Sequence, residues 1–212
     1  MSKRKPMVHA GHDFEDMKEV AHYARHMEKF SMSYKDFMKR LKSLDFRGPV
    51  LDIGAGPGVL TARVADSFPE VEITALERSR AMAEYGREYV RKKGVGERVR
   101  YVVGDAMDSE LIGSLGKFGL VYCTYVLHNF EDAGMALGNF LEAADEGGTV
   151  FIYDFRRVWW VYYTPFKGGL VDSVKAAYQP SEVRAILGGL GIREVEIVKG
   201  FPFTQSVVFK RG

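Results

Sequence analysis

The chain has 212 residues, 46% of them hydrophobic and 27% charged, enough to bury one substantial core and too few for two separate ones. Its single cysteine, Cys123, excludes an internal disulfide and a multi-cysteine zinc site, so no metal is expected; no apolar run reaches the roughly 18 residues of a membrane-spanning helix. The net charge of +2 is segregated: residues 1–50 carry 11 Lys+Arg against 7 Asp+Glu, residues 51–155 carry 10 against 17, and residues 156–212 carry 9 against 4, which suits either plain solvation or an anionic partner facing both ends.

The charged start, Met1 to Pro6, lacks the apolar stretch of a signal peptide, so a cytoplasmic location is expected. Apolar residues at three-to-four spacing predict helices over 13–29 and 31–45, ended by Gly48-Pro49. Five strands are then expected at Val50–Ile53, Val71–Leu76, Val99–Val103, Leu120–Thr124 and Val150–Tyr153, alternating with helices near 58–67, 79–93, 108–115 and 131–144. That alternation predicts an α/β fold with a parallel sheet covered by helices on both faces. A helix opened by Pro180 leads to two further strands, Arg193–Val198 and Ser206–Lys210, whose short link predicts an antiparallel pair. Asn and Gln total only four, a scarcity of thermolabile amides that points to a thermophilic source.

The strongest local signal is Val50-Leu51-Asp52-Ile53-Gly54-Ala55-Gly56-Pro57-Gly58, an apolar strand entering a glycine-rich turn. Glycines at 54, 56 and 58 let the backbone approach a ligand closely. The dinucleotide fingerprint needs glycine where Val59 stands, and no phosphate-loop Gly-Lys-Ser/Thr follows, so neither common phosphate reading holds. Asp52 at the strand end would repel a pyrophosphate but suits an ammonium group, directly or through water. Glu77 ends the next strand, where an acid can accept both ribose hydroxyls; Asp105, in Gly104-Asp105-Ala106-Met107, ends the third and is suited to an exocyclic amine.

On these motifs the chain resembles the class I S-adenosylmethionine-dependent methyltransferases, and more narrowly the branch containing the quinone-biosynthesis C-methyltransferases. The resemblance is specific in Asp52–Gly58, Glu77 and Gly104-Asp105-Ala106, and weaker in Tyr122 to Asn129. It implies a Rossmann-like, mostly parallel seven-stranded sheet of order 3-2-1-4-5-7-6 with the last strand antiparallel. It also implies a core over 48–212, with residues 1–47 as a basic helical cap of the same domain. S-adenosylmethionine is the implied cofactor, with Asp52, Gly54, Ala55, Gly56, Gly58, Glu77, Arg78, Asp105, Ala106, Met107 and Cys123 as its candidate residues; Cys123 also reads as a small buried hydrophobe.

In an open α/β sheet the ligand lies beyond the carboxyl ends of the strands, so Thr124, Tyr125, His128 and Asp154 are the candidates facing the transferred methyl. His128 could accept a proton, or simply line the site; Tyr125 could orient an acceptor and Asp154 bind one. Neither the Asp/Asn-Pro-Pro-aromatic motif of amine methylation nor the cysteine pair of base-carbon methylation is present. Beyond the fifth strand, Arg156, Arg157, Trp159, Trp160 and Tyr162 interleave guanidinium groups with flat rings, a combination suited to phosphate contacts with base stacking or to an aromatic lid over a lipophilic site. With the basic Lys3-Arg4-Lys5, the favoured acceptor is RNA, as an rRNA or tRNA base; a quinone-like or other small molecule is the alternative. A nicotinamide oxidoreductase is disfavoured by Val59 and Asp52, and a cofactor- and RNA-binding module without catalysis stays open.

Overall fold

The structure is a computed structural model that describes residues 4–5, 15–29, 34–165 and 168–212. Two helices, α1 (Met17–Lys29) and α2 (Lys35–Leu41), precede the alternating units β1 (Val50–Ile53), α3 (Val59–Ser67), β2 (Ile73–Glu77), α4 (Arg80–Lys92), β3 (Val99–Val103), α5 (Ser109–Ser114), β4 (Phe118–Thr124), α6 (Ala133–Ala143) and β5 (Ala144–Phe155). Then come α7 (Gly169–Ala176), α8 (Pro180–Gly189), β6 (Val195–Gly200) and β7 (Thr204–Lys210). The seven strands form one sheet of order β3-β2-β1-β4-β5-β7-β6. β1 to β5 run parallel, and β7 is antiparallel to both β5 and β6, as the resemblance implies.

All four residues of β1 are buried, as a strand covered on both faces requires. Side chains alternate between two core layers: Leu51, Ile53, Val121 and Cys123 pack with Leu137 and Phe140 on one face, whereas Val50, Leu120 and Tyr122 pack with Ala62 and Ala83 on the other. Short caps set the helix starts. The Ser79 hydroxyl accepts from the Met82 amide (3.2 Å) ahead of α4, Asp132 accepts from the Met135 amide (2.9 Å) ahead of α6, and Glu182 accepts from the Gln179 amide (2.7 Å) at the head of α8.

Two features depart from the sequence reading. β5 is longer at both ends: Ala144 still pairs with Phe118 across a register slip at its start, and Asp154 and Phe155 pair with Gln205 and Thr204 of β7 at its end. The Arg156–Tyr163 stretch, read as a phosphate-and-stacking surface or an aromatic lid, forms a 3-10 turn over Trp159–Tyr163, and α7 forms beyond it at Gly169–Ala176, where the sequence reading placed no element. The second N-terminal helix packs into the core. Phe37 and Leu41 of α2 are fully buried, and Phe37 stacks on Phe151 of β5 (ring centroids 5.3 Å apart), so α2 belongs to the core. The outer portions of the two predicted N-terminal helices lie outside the described residues.

Candidate active site

The three acidic strand ends converge. Asp52 is buried, and its Oδ2 accepts from the Thr61 hydroxyl and the Tyr122 hydroxyl, each at 2.7 Å. Burial pushes its carboxyl up to about 6 in spite of both bonds, with the neighbouring Glu77 charge adding to the rise. Glu77 staples the glycine loop to β2: Oε2 accepts from the Gly56 amide and Oε1 from the Ser79 amide, both at 2.8 Å. Desolvation raises this carboxyl, and the backbone donors oppose it. Asp105 accepts from the Met107 amide at 2.9 Å, which fixes the turn after β3.

Gly54 has a reason to be glycine beyond ligand approach. Its φ is +74°, and a Cβ there would lie 2.5 Å from Val126 Cγ2. The loop is thereby pressed against the segment that follows β4.

Asp52, Gly54, Ala55, Gly56, Glu77, Arg78, Asp105, Ala106 and Met107 all line one cavity of about 1440 Å³, as do Thr124, Tyr125 and His128. Two of the expected cofactor residues stand behind its wall. Gly58 begins α3 with φ +82°, and Cys123 is fully buried within β4, its thiol pushed well above the ordinary range by desolvation. The volume exceeds the roughly 300–1,000 Å³ that holds one drug-sized ligand, leaving room for a cofactor and an acceptor together.

On the acceptor side, His128 and Asp154 form a buried pair. His128 Nδ1 lies 2.7 Å from Asp154 Oδ1, and the His128 amide donates to Oδ2 at 2.8 Å. The Phe155 amide also donates to Oδ1, at 2.6 Å. Asp154 is thus held inside the wall, and it orients the imidazole that lines the cavity. A carboxylate at Nδ1 favours the tautomer with its proton there, which leaves Nε2 as the basic nitrogen. Thr124 Oγ1 is buried with no hydrogen-bond partner among the described residues, on the cavity wall. Tyr125 has φ +58°, the left-handed region that a bulky residue adopts only when its surroundings compel it. Its amide is tied to the Tyr153 carbonyl (2.8 Å), and its ring centroid lies 4.5 Å from that of Phe155 and 5.6 Å from that of Tyr153.

The Arg/Trp/Tyr stretch does not join this wall. Arg157 is buried, donating to the Ala177 carbonyl (2.7 Å) and to Glu182 (2.5 Å). Arg156 donates to the Pro202 carbonyl (3.2 Å), and Tyr162 reaches the Lys175 carbonyl (3.5 Å). Trp159 and Trp160 stay exposed on the 3-10 turn. The guanidinium groups are therefore spent on the fold while the indoles face out. Sequence reasoning missed the other contributors: Tyr23, His26 and Met27 from α1, Tyr34 before α2, Leu170 at the start of α7, and Phe203 between β6 and β7. The i, i+3, i+4 spacing of Tyr23, His26 and Met27 along one helical face is the signal that could have marked the first group.

Carboxylates at three strand ends, backbone amides at a glycine loop and a cavity of this size fit a ligand carrying an ammonium, a vicinal diol and an aromatic amine, which is the polar outline of S-adenosylmethionine. Among the described residues no helix is long and apolar enough to cross a membrane, and no group of three or more His, Cys, Asp and Glu could hold a metal ion.

Residues 50–148 match the family described as methyltransferase domain. The ubiquinone/menaquinone biosynthesis C-methyltransferase of Idiomarina loihiensis is 34% identical over 109 residues, covering 51% of this chain and 43% of that protein, so the match spans less than half of that relative. Among solved structures, one from Methanococcus maripaludis assigned as an S-adenosyl-L-methionine-dependent methyltransferase superposes with a TM-score of 0.74 at 18% identity, covering 100% of this chain and 98% of that one. Human N-acetylserotonin methyltransferase, solved in complex with S-adenosylmethionine, gives 0.67 at 16% identity, covering 94% of this chain and 57% of that one. Residues 50–148, built on the Asp52–Gly58 loop and the acidic strand ends, thus form a methyltransferase domain, and over that region the chain is similar to the class I enzymes whose cofactor is S-adenosylmethionine.

Proposed function

We propose that the chain transfers a methyl group from S-adenosylmethionine to an uncharged, aromatic or otherwise apolar small molecule. The observation that carries this reading is the charge of the cavity wall. Among the described residues lining it there is no lysine, and the only arginine is Arg78, next to Glu77 on the cofactor side; Asp36, Glu131 and Asp132 add further acid. A phosphodiester brought to the acceptor side would be desolvated against carboxylates with no lysine or arginine among the described residues facing it. Tyr34, Tyr125, Tyr153 and Phe155 instead offer flat apolar walls. The inward-turned Arg156 and Arg157 remove the main support for an RNA acceptor, and the relatives named for quinone and N-acetylserotonin chemistry agree with a small one.

In this reading Asp52 faces the cofactor's ammonium, Glu77 the ribose hydroxyls and Asp105 the adenine amine. When bound, S-adenosylmethionine would supply an electrophilic methyl whose bond to the sulfonium breaks as the acceptor bond forms, the sulfur leaving as a neutral thioether. The aromatic walls hold the acceptor near attack distance and exclude water. His128 Nε2 takes the acceptor's O–H or C–H proton as the new bond forms, and the Asp154 carboxylate stabilises the resulting imidazolium. Incubating the protein with methyl-labelled cofactor and a cell extract fractionated into RNA, protein and organic-soluble metabolites tests this. Label is expected in the organic-soluble fraction; label in RNA alone would overturn the acceptor assignment.

A further inference from the structure

The sequence singles out Lys3-Arg4-Lys5 as a surface for anions, yet Arg4 is committed elsewhere. Its Nε donates to the Ala176 carbonyl (2.7 Å), and one terminal nitrogen donates to both the Phe130 carbonyl (2.9 Å) and the His128 carbonyl (3.3 Å). The guanidinium carbon lies 4.0 Å from the centroid of the Tyr178 ring. The hydroxyl of Tyr178 in turn donates to the Phe130 and Glu131 carbonyls (3.0 and 3.2 Å). The Lys5 amide adds a bond to the Lys175 carbonyl (3.2 Å). An arginine 124 residues away in sequence thus caps the carbonyls at the end of the 3-10 turn Leu127–Asn129, which carries His128.

These bonds fix one definite piece of backbone. His128 is held from inside by Asp154, through its amide and ring, and from outside by Arg4, through its carbonyl. Residues 128–132 all line the cavity. Carbonyls at the end of such a turn have no partner within it, and a guanidinium, with five donors in a rigid fork, can serve several at once where an ammonium cannot. We infer that Arg4 is a positioning residue: it acts through the 128–131 backbone to hold His128 against the acceptor, and supports the active site from behind the cavity wall. The positioning stands on the contacts alone; its consequence for turnover rests on the reading of His128 as the base.

The test compares Arg4→Ala, Arg4→Lys and Tyr178→Phe with the parent protein. Long-range ¹H–¹⁵N spectra of the imidazoles, assigned with His128→Ala, report the position and tautomer of His128 without any acceptor. Arg4→Ala is expected to shift or broaden the His128 signals, Tyr178→Phe to shift them less, and Arg4→Lys to leave them displaced even if overall stability recovers. With an acceptor in hand, Arg4→Ala should lower turnover by about tenfold to a hundredfold, the scale of a small misplacement of a reacting group, while KM for S-adenosylmethionine changes less than about twofold. His128 signals that stay unchanged in both folded Arg4 variants would overturn the inference. If the signals move while His128→Ala keeps full turnover, the positioning stands and the assignment of His128 as base falls.

Discussion

Asp52 offers the sharpest test, because stability and binding pull it in opposite directions. Its carboxyl lies near 3.8 in the unfolded chain and is pushed up to about 6 by burial in the folded protein. Between these values the folded state holds a proton that the unfolded state has released, so the contribution of Asp52 to stability is complete below about pH 4 and is lost as pH rises through about 6. Ionising the group in the apoprotein therefore costs about 3 kcal/mol. Asp52→Asn removes the charge and keeps an oxygen to accept from Thr61 or Tyr122. At pH 8 the variant apoprotein should melt higher than the parent by about 6 °C or more, given roughly 2–4 °C per kcal/mol for a domain of this size, and the gain should vanish near pH 4. The same change deprives the cofactor's ammonium of its counter-charge. S-adenosylmethionine affinity should fall by roughly tenfold to a hundredfold, from a charge-assisted bond worth about 1.5–3 kcal/mol. Scanning calorimetry from pH 4 to 8 and titration calorimetry at pH 8 read the two effects. A variant that melts lower than the parent at pH 8, or binds the cofactor equally well, would refute the account of this carboxylate.

Glu77→Gln should weaken cofactor binding by about tenfold or more in titration calorimetry, because an amide cannot accept from Gly56 and Ser79 on both arms. Asp154→Asn should lower turnover by about a hundredfold while leaving cofactor affinity within about threefold. The amide can present a donor to Nδ1 of His128, which moves the ring proton to Nε2 and removes the base; single-turnover methyl transfer checks it. Gly54→Ala should lose about 2 kcal/mol of stability in denaturant melts and bind cofactor poorly, since its methyl would overlap Val126 at a backbone angle that alanine resists.

Much of this was legible because the signals are local. Asp52, Glu77 and Asp105 each stand at the end of a short β-branched run of strand character, and a parallel sheet with regular crossovers brings such ends together. The bounds of β1 and β3 follow directly from their apolar runs. β5 does not: an irregular register lets Asp145-Glu146-Gly147-Gly148 continue a strand that their residue types disguise. His128 and Asp154 are each visible as residues beyond a strand, but their pairing across 26 positions depends on how β4 and β5 stagger. Arg157 shows the converse limit. A basic residue beside tryptophans reads as a ligand contact, and only the placement of α8 reveals Glu182 as its partner.

The burial of Cys123 has a practical consequence. It is the only cysteine of the chain and lies fully covered in β4, at the middle of the sheet. A thiol reagent can reach it only when the centre of the molecule opens, so the labelling rate under native conditions counts large openings and ignores fraying at the edges. Cofactor bound to the closed form should slow that clock in inverse proportion to the unoccupied fraction, by about a hundredfold when its concentration is a hundred times the dissociation constant. The unmodified protein thus contains its own single-site gauge of cofactor affinity, usable before any acceptor is known.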